Sequence, residues 1–193
     1  SVSSLYVLFD GQTGAPRAII DGEALTNRRT AAASALASRF LSREDSATLT
    51  LVGTGHLAPH LAAAHAAVRP ITRILVWGRT LEKAQATAAR LQAQGLNAEA
   101  APDLAAAVGA ADIVSAATTS TVPLVLGADV KPGTHVDLVG AFTPAMRESD
   151  AALVAKAEVY VDTAAGTLAE AGDLLQPLAA GLWSKDLLRG ELY

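Results

Sequence analysis

The stretch Ala47-Thr-Leu-Thr-Leu-Val-Gly-Thr-Gly-His-Leu-Ala58 constrains this 193-residue chain more than any other. It reads as a buried strand that turns on Gly53 and Gly55 and opens directly into a helix. Gly53 permits the tight turn, Gly55 lets a ligand approach the backbone, and Ala58 lets helix and strand pack closely. Backbone N–H groups at Thr54, Gly55, His56 and Leu57 would then face a pyrophosphate at a helix N-terminus, which implies a dinucleotide. Glycine-rich turns after strands are common, so the motif alone also fits an ordinary strand–helix junction. Its weight comes from Ile74-Leu-Val-Trp-Gly-Arg-Thr80, which follows at the expected distance.

That second stretch bears on cofactor choice. An acid at the end of the second strand would accept hydrogen bonds from the adenosine ribose. This chain offers Gly78, Arg79 and Thr80, with no acid before Glu82. A guanidinium can pair with a 2′-phosphate that a carboxylate would repel, so NADP(H) is expected over NAD(H). The alternative, a solvated Arg79 and a helix-capping Thr80, stays open. Trp77 either flanks the adenine or packs in the core.

Strands and helices alternate around these motifs. Strands are expected at 47–53, 72–77, 95–100, 112–117, 135–139 and 159–162, with helices at 55–67, 80–93, 103–109 and from about 149. The architecture implied is α/β, a doubly wound parallel sheet of the Rossmann type. Thr118-Thr119 and Gly140-Ala141 end the fourth and fifth strands, at the edge where such sheets bind ligands, so they should surround the nicotinamide. Residues 5–9 and 16–20 read instead as a hairpin around Asp10-Gly-Gln-Thr-Gly14, followed by a helix from Asp21 to about 42. Two strands cannot bury their faces alone, so the hairpin suggests the edge of a second domain.

Composition excludes several partners. Aromatic residues make up 4% of the chain, the net charge is −4, and no basic run exceeds Arg28-Arg29, so neither nucleic acid nor an anionic membrane is expected. There is no cysteine, hence no thiolate metal site. His56 and His60 share helical spacing without a neighbouring acid, so no metal is expected. No apolar run reaches about 18 residues and the first residues lack a basic leader. A cytoplasmic protein is the expectation.

Taken together, Arg29-Thr-Ala-Ala-Ala-Ser-Ala35, Val52-Gly-Thr-Gly55, Val76-Trp-Gly-Arg-Thr80 and Val139-Gly-Ala-Phe-Thr-Pro-Ala-Met-Arg-Glu148 resemble the ornithine cyclodeaminase/mu-crystallin family. Asp21-Gly-Glu-Ala-Leu-Thr-Asn-Arg-Arg-Thr30 and Glu170-Ala-Gly-Asp173 extend the likeness. The resemblance implies a homodimer, each subunit having a nucleotide-binding domain and a substrate and dimerisation domain. It implies that Arg29 holds a substrate carboxylate and that Thr30 lies near the cofactor phosphates. The expected division is a substrate-domain remnant over 1–22, a linking helix over 23–46, the cofactor domain over 47–175 and a C-terminal return segment over 176–193.

Two departures from the family refine the expectation. Members carry a catalytic lysine before the hairpin, whereas the first lysine here is Lys83, so the chain reads as a fragment that binds cofactor without turning over alone. Cyclodeaminases place an aspartate where this chain has Phe142, and an apolar ring cannot accept a proton. Phe142 instead walls a ring pocket. The version here resembles the ketimine reductases, which act on Δ1-pyrroline-2-carboxylate or Δ1-piperideine-2-carboxylate, so the expected ligand is a small imino or amino acid. A cyclodeaminase, an alanine dehydrogenase-like enzyme and a non-catalytic NADPH-dependent ligand binder are the alternatives.

Overall fold

Asp10 closes the first turn of the chain. In the computed structural model, which describes residues 4–192, its carboxylate accepts the N–H groups of Gln12 and Thr13 and pairs with Arg17. The flanking strands β1 (Leu5–Phe9) and β2 (Pro16–Asp21) run antiparallel, and every residue of both is exposed. The Asp21 carboxylate then accepts from the N–H groups of Glu23 and Ala24 and starts α1 (Gly22–Leu41). The buried stripe of α1 is made of small residues, Ala31, Ser34, Ala35 and Ser38, which allows close packing on the next helix.

Five parallel strands form the main sheet: β3 (Thr48–Val52), β4 (Arg73–Trp77), β5 (Ala98–Ala100), β6 (Ile113–Ala116) and β7 (His135–Leu138). Their order is β5-β4-β3-β6-β7, with Leu49 standing beside Ile74 on one side and Ile113 on the other. The chain moves outward from β3 through β4 to β5, then returns to the opposite side of β3 for β6. This reversal leaves a crevice at the carboxyl ends of β3 and β6, the place where open α/β sheets take ligands.

Side chains alternate between the two faces. Leu49, Leu51, Ile74 and Val76 meet Leu61 and Ala62 of α2 (Ala58–Val68) and Ala84, Ala88 and Leu91 of α3 (Leu81–Gln92). Val52 and Val114 meet Val108 of α4 (Leu104–Ala110) and Leu153 of α5 (Ala151–Lys156) on the other face. The sheet is thus covered on both sides, as a doubly wound architecture requires. Truncating one of these fully buried leucines to alanine costs about 2–5 kcal/mol.

Two features depart from the sequence expectation. Helix α2 begins at Ala58 rather than near 55, because Gly55, His56 and Leu57 make a separate turn closed by the Ala58 N–H on the Gly55 carbonyl at 3.2 Å. The crossover from β6 to β7, where no helix is expected, runs as a loop over residues 117–134 with one bridge, Val125 to Ser149. The strand expected at 159–162 does not extend the main sheet. It forms β8 (Val159–Val161) and pairs in parallel with β9 (Leu188–Glu191). The physical reason is a small core of its own: Val159 and Val161 pack with Val154, Leu174 and Trp183. Helices α6 (Ala164–Glu170) and α7 (Gly172–Ala179) complete that unit.

Candidate functional site

Gly53 has φ +122°, a conformation that L side chains rarely adopt, and a Cβ there would lie 2.7 Å from the Ala117 carbonyl oxygen. Its N–H donates to the Trp77 carbonyl at 2.9 Å, locking the ends of β3 and β4 together. A Cβ on Gly55 would meet nothing within 4 Å, so the backbone faces open space there. Helix α2 begins with no side-chain cap, and Pro59 falls in its first turn, where its missing N–H costs nothing. Uncapped N–H groups behind an open glycine turn are what an anion requires, and the residues present fit a pyrophosphate. His56 is exposed, and its Nδ1 lies 2.5 Å from Glu23 Oε1 at the start of α1.

The end of β4 packs against the same turn. A Cβ on Gly78 would meet the Thr54 methyl group at 2.6 Å, so glycine is needed for the approach. Thr80 caps α3 by accepting the Lys83 N–H, and Arg79 beside it is exposed. Trp77 is half-buried and packs against the cluster on the α4 face, which favours the core role over a place beside an adenine.

At the ends of β6 and β7 the structure reveals a residue to which the sequence reading gave no role. Glu148 is fully buried. Its Oε1 accepts the Thr118 N–H at 2.6 Å and the Thr118 hydroxyl at 2.7 Å, and its Oε2 accepts the Gly140 N–H at 2.7 Å. Burial pushes its carboxyl up to about 7, against the opposing pull of these donors and with the help of nearby Asp173. Asp173, also buried, accepts from the Glu148 N–H, the Ser149 N–H and the Ser149 hydroxyl through one oxygen. Both acids stand in the stretches that carry the family resemblance. Sequence alone offers no measure of their burial, so the one available signal was their place in those stretches.

The structure brings Gly53, Thr54, Gly78, Thr118 and Gly140 together at the carboxyl edge of the sheet. Thr119 is exposed beside Thr118, and Leu57 and Ala141 are half-buried. Arg29 is exposed on α1, Thr30 is half-buried, and the Phe142 ring is 61% exposed. None of these three belongs to the hydrogen-bonded frame around Glu148. Among the described residues, no group of three histidines or acids could hold a metal ion, and no helix is long and apolar enough to cross a membrane.

Comparison with known proteins agrees with this fold. The chain is 43% identical over 194 residues to a Δ1-pyrroline-2-carboxylate reductase of Paracoccus denitrificans, covering 100% of this chain and 61% of that protein. The chain therefore spans less than two thirds of that relative's length. Among solved structures it superimposes on the Thermococcus litoralis Δ1-pyrroline-2-carboxylate reductase in complex with NADH and L-proline, with TM-score 0.93 and 33% identity over 96% of this chain and 58% of that one. The iminosuccinate reductase of Paracoccus denitrificans in complex with NAD+ matches with TM-score 0.86 and 34% identity, over 98% and 58% of the two chains. The model of the ornithine cyclodeaminase/mu-crystallin family matches residues 1–191, and the chain belongs to that family.

Proposed function

We propose that this chain carries the cofactor site of an NADPH-dependent ketimine reductase that converts Δ1-pyrroline-2-carboxylate or Δ1-piperideine-2-carboxylate to the cyclic amino acid. The observation that carries this reading is the apolar Phe142 just beyond β7, in a chain so similar to a Δ1-pyrroline-2-carboxylate reductase. A carboxylate at that position would assist loss of an amino group, whereas a phenyl ring offers only a wall for a five- or six-membered ring.

The nicotinamide, when bound, supplies a hydride to C2 of the protonated imine. The protein's part is to hold, orient and exclude water. Gly53, Thr54, Gly55, His56 and Leu57 hold the pyrophosphate through backbone N–H groups. Arg79 and Thr80 hold the 2′-phosphate. Thr118, Thr119, Gly140 and Ala141 flank the nicotinamide, Thr30 lies near the phosphates and Arg29 pairs with the substrate carboxylate. In the same reading residues 1–22 belong to a substrate domain, 23–46 link it to the cofactor domain at 47–175, and 176–193 return to it. The exposed apolar hairpin supports this division, and the assembled protein is read as a cytoplasmic homodimer.

The test is an assay of the complete protein. NADPH oxidation with Δ1-pyrroline-2-carboxylate is the expected outcome. Absence of that activity together with turnover of ornithine and NAD+ would overturn the reading.

A further inference from the structure

Glu148 occupies a position that the reaction itself does not explain. Its carboxylate lies beneath the two loops that follow β6 and β7 and bridges them, alongside the Arg147 N–H donating to the Ser120 carbonyl at 2.9 Å. Its backbone carbonyl accepts the N–H groups of Leu124 and Val125, both at 2.8 Å, which fixes the return of the β6 loop. From below, Asp173 at the start of α7 holds the Glu148 and Ser149 N–H groups at 2.9 and 2.7 Å. A Cβ on Gly140 would overlap the Thr118 carbonyl oxygen and lie 2.6 Å from Glu148 Oε1, so the loop is pressed against both the Thr118 backbone and the carboxylate with no room for a side chain.

We propose that Glu148, braced by Asp173, is a positioning residue that sets the separation of the Thr118 and Gly140 loops and so shapes the seat of the nicotinamide ring. The inference rests on the dinucleotide reading above. Glu148 is buried beneath the loops and acts through them. The end of β4 at Arg79 makes none of these contacts, and the turn at Gly53–Leu57 meets the frame only where Gly53 faces Ala117 and the Thr118 methyl group, so the adenosine half of the cofactor should sense the change far less than the nicotinamide.

Replacement by glutamine is informative because it keeps the volume while removing one acceptor. Each oxygen of Glu148 faces a backbone N–H, Thr118 on one side and Gly140 on the other. Whichever way the amide is turned, its NH2 meets one of those N–H groups, and two donors face each other in a buried space. One loop must move.

The experiment titrates the chain with two pairs of ligands: NADPH and 2′-phospho-ADP-ribose, then NADH and ADP-ribose. Each pair differs by the nicotinamide alone. Glu148→Gln should weaken the dinucleotide of the better-binding pair by about tenfold while leaving its nicotinamide-free partner within about twofold. Asp173→Asn, one link further away, should show the same split at smaller amplitude and serves if Glu148→Gln does not fold. Equal weakening of both members of a pair, or no weakening of either, overturns the positioning role. Failure of the unaltered chain to bind any of the four overturns the dinucleotide reading itself. Tighter NADH than NADPH binding with the Glu148 split intact overturns only the 2′-phosphate preference and supports the positioning role.

Discussion

Nε2 of His65 on α2 stands 3.5 Å from Oδ2 of Asp137 on β7, and the Ser115 hydroxyl donates to the same oxygen at 2.7 Å. His135, two residues earlier on the strand, lies on the same face. Desolvation depresses the His135 imidazole to about 4, only partly offset by Asp137 and reinforced by His65 and Arg69. Desolvation acts on the Asp137 carboxyl in the opposite sense, but the neighbouring His65 ring and the hydrogen bond from Ser115 prevail and hold it below its ordinary value.

This cluster predicts an acid limb in the stability curve. Between its ordinary 6.5 and its native value of about 4, His135 binds fewer protons in the folded than in the unfolded chain. Its contribution is therefore complete above about pH 6.5 and is lost as pH falls toward 4. At about 1.4 kcal/mol per unit, the loss is at most about 3.5 kcal/mol. Glu148 has the opposite sign: its carboxyl rises from 4.5 to about 7, so its contribution is present below pH 4.5 and lost as pH rises to 7. His135→Gln should flatten the acid limb and expose a stability that declines from pH 5 to 7. Urea unfolding across pH 4–8 checks this; an unchanged acid limb in the variant would refute the assignment.

The two glycines of the turn should respond differently to the same substitution. Gly53→Ala forces a side chain into a left-handed conformation and against the Ala117 carbonyl, which should cost about 1–3 kcal/mol. Gly55→Ala meets open space, so stability should stay within about 0.5 kcal/mol. In the proposed reading the added methyl group nevertheless stands where the pyrophosphate approaches, so NADH or NADPH binding should fall at least tenfold. Parallel unfolding curves and cofactor titrations separate the two effects. Full cofactor affinity in Gly55→Ala would show that nothing binds against that backbone.

Asp112 offers a purely structural prediction. Its carboxylate accepts the Ala47 and Thr48 N–H groups, both at 3.0 Å, and pairs with Arg43 at 2.6 Å, so it ties the entry of β3 to the entry of β6. Desolvation would raise its carboxyl, but these three donors, aided by Lys131, bring it down to about 2. Its contribution is thus present above pH 3.8 and lost as pH falls toward 2. Asp112→Ala leaves two N–H groups short of an acceptor and should lower stability by about 2–3 kcal/mol. Cofactor affinity should be unchanged, because the site lies at the other end of the strands.

The sequence made the five-strand sheet readable because each strand is a short apolar run bounded by turn residues, and Asp21 and Thr80 announced their helices as caps. The start of α2 was misread because Gly55-His-Leu57 carries no feature separating a turn from a first helical turn. The place of Val159–Val161 was misread for a different reason. Apolar alternation tells that a strand exists but not which edge accepts it, and Trp183, distant in sequence, supplies its core. In the site, glycines were legible because backbone geometry demands them. Glu148 was not, since a buried carboxylate and a solvated one are written with the same letter.

In the proposed reading, Arg79 decides between the two cofactors. It lies at the first position after Gly78, and Gly78 is held against Thr54 in the pyrophosphate turn, so its guanidinium starts from the rim of the adenosine side. The Thr80 side chain spends its acceptor on the Lys83 N–H, which leaves its hydroxyl proton for a phosphate oxygen. Loss of a charge-assisted contact should cost about 1.5–3 kcal/mol, or roughly 10- to 150-fold in affinity. Arg79→Ala should therefore weaken NADPH by that factor and leave NADH within about twofold, with the difference shrinking as salt is raised. Calorimetric titration of both cofactors provides the measurement. Equal affinities in the unaltered chain would mean that Arg79 is a solvated loop residue, and that Thr80 serves α3 and nothing else.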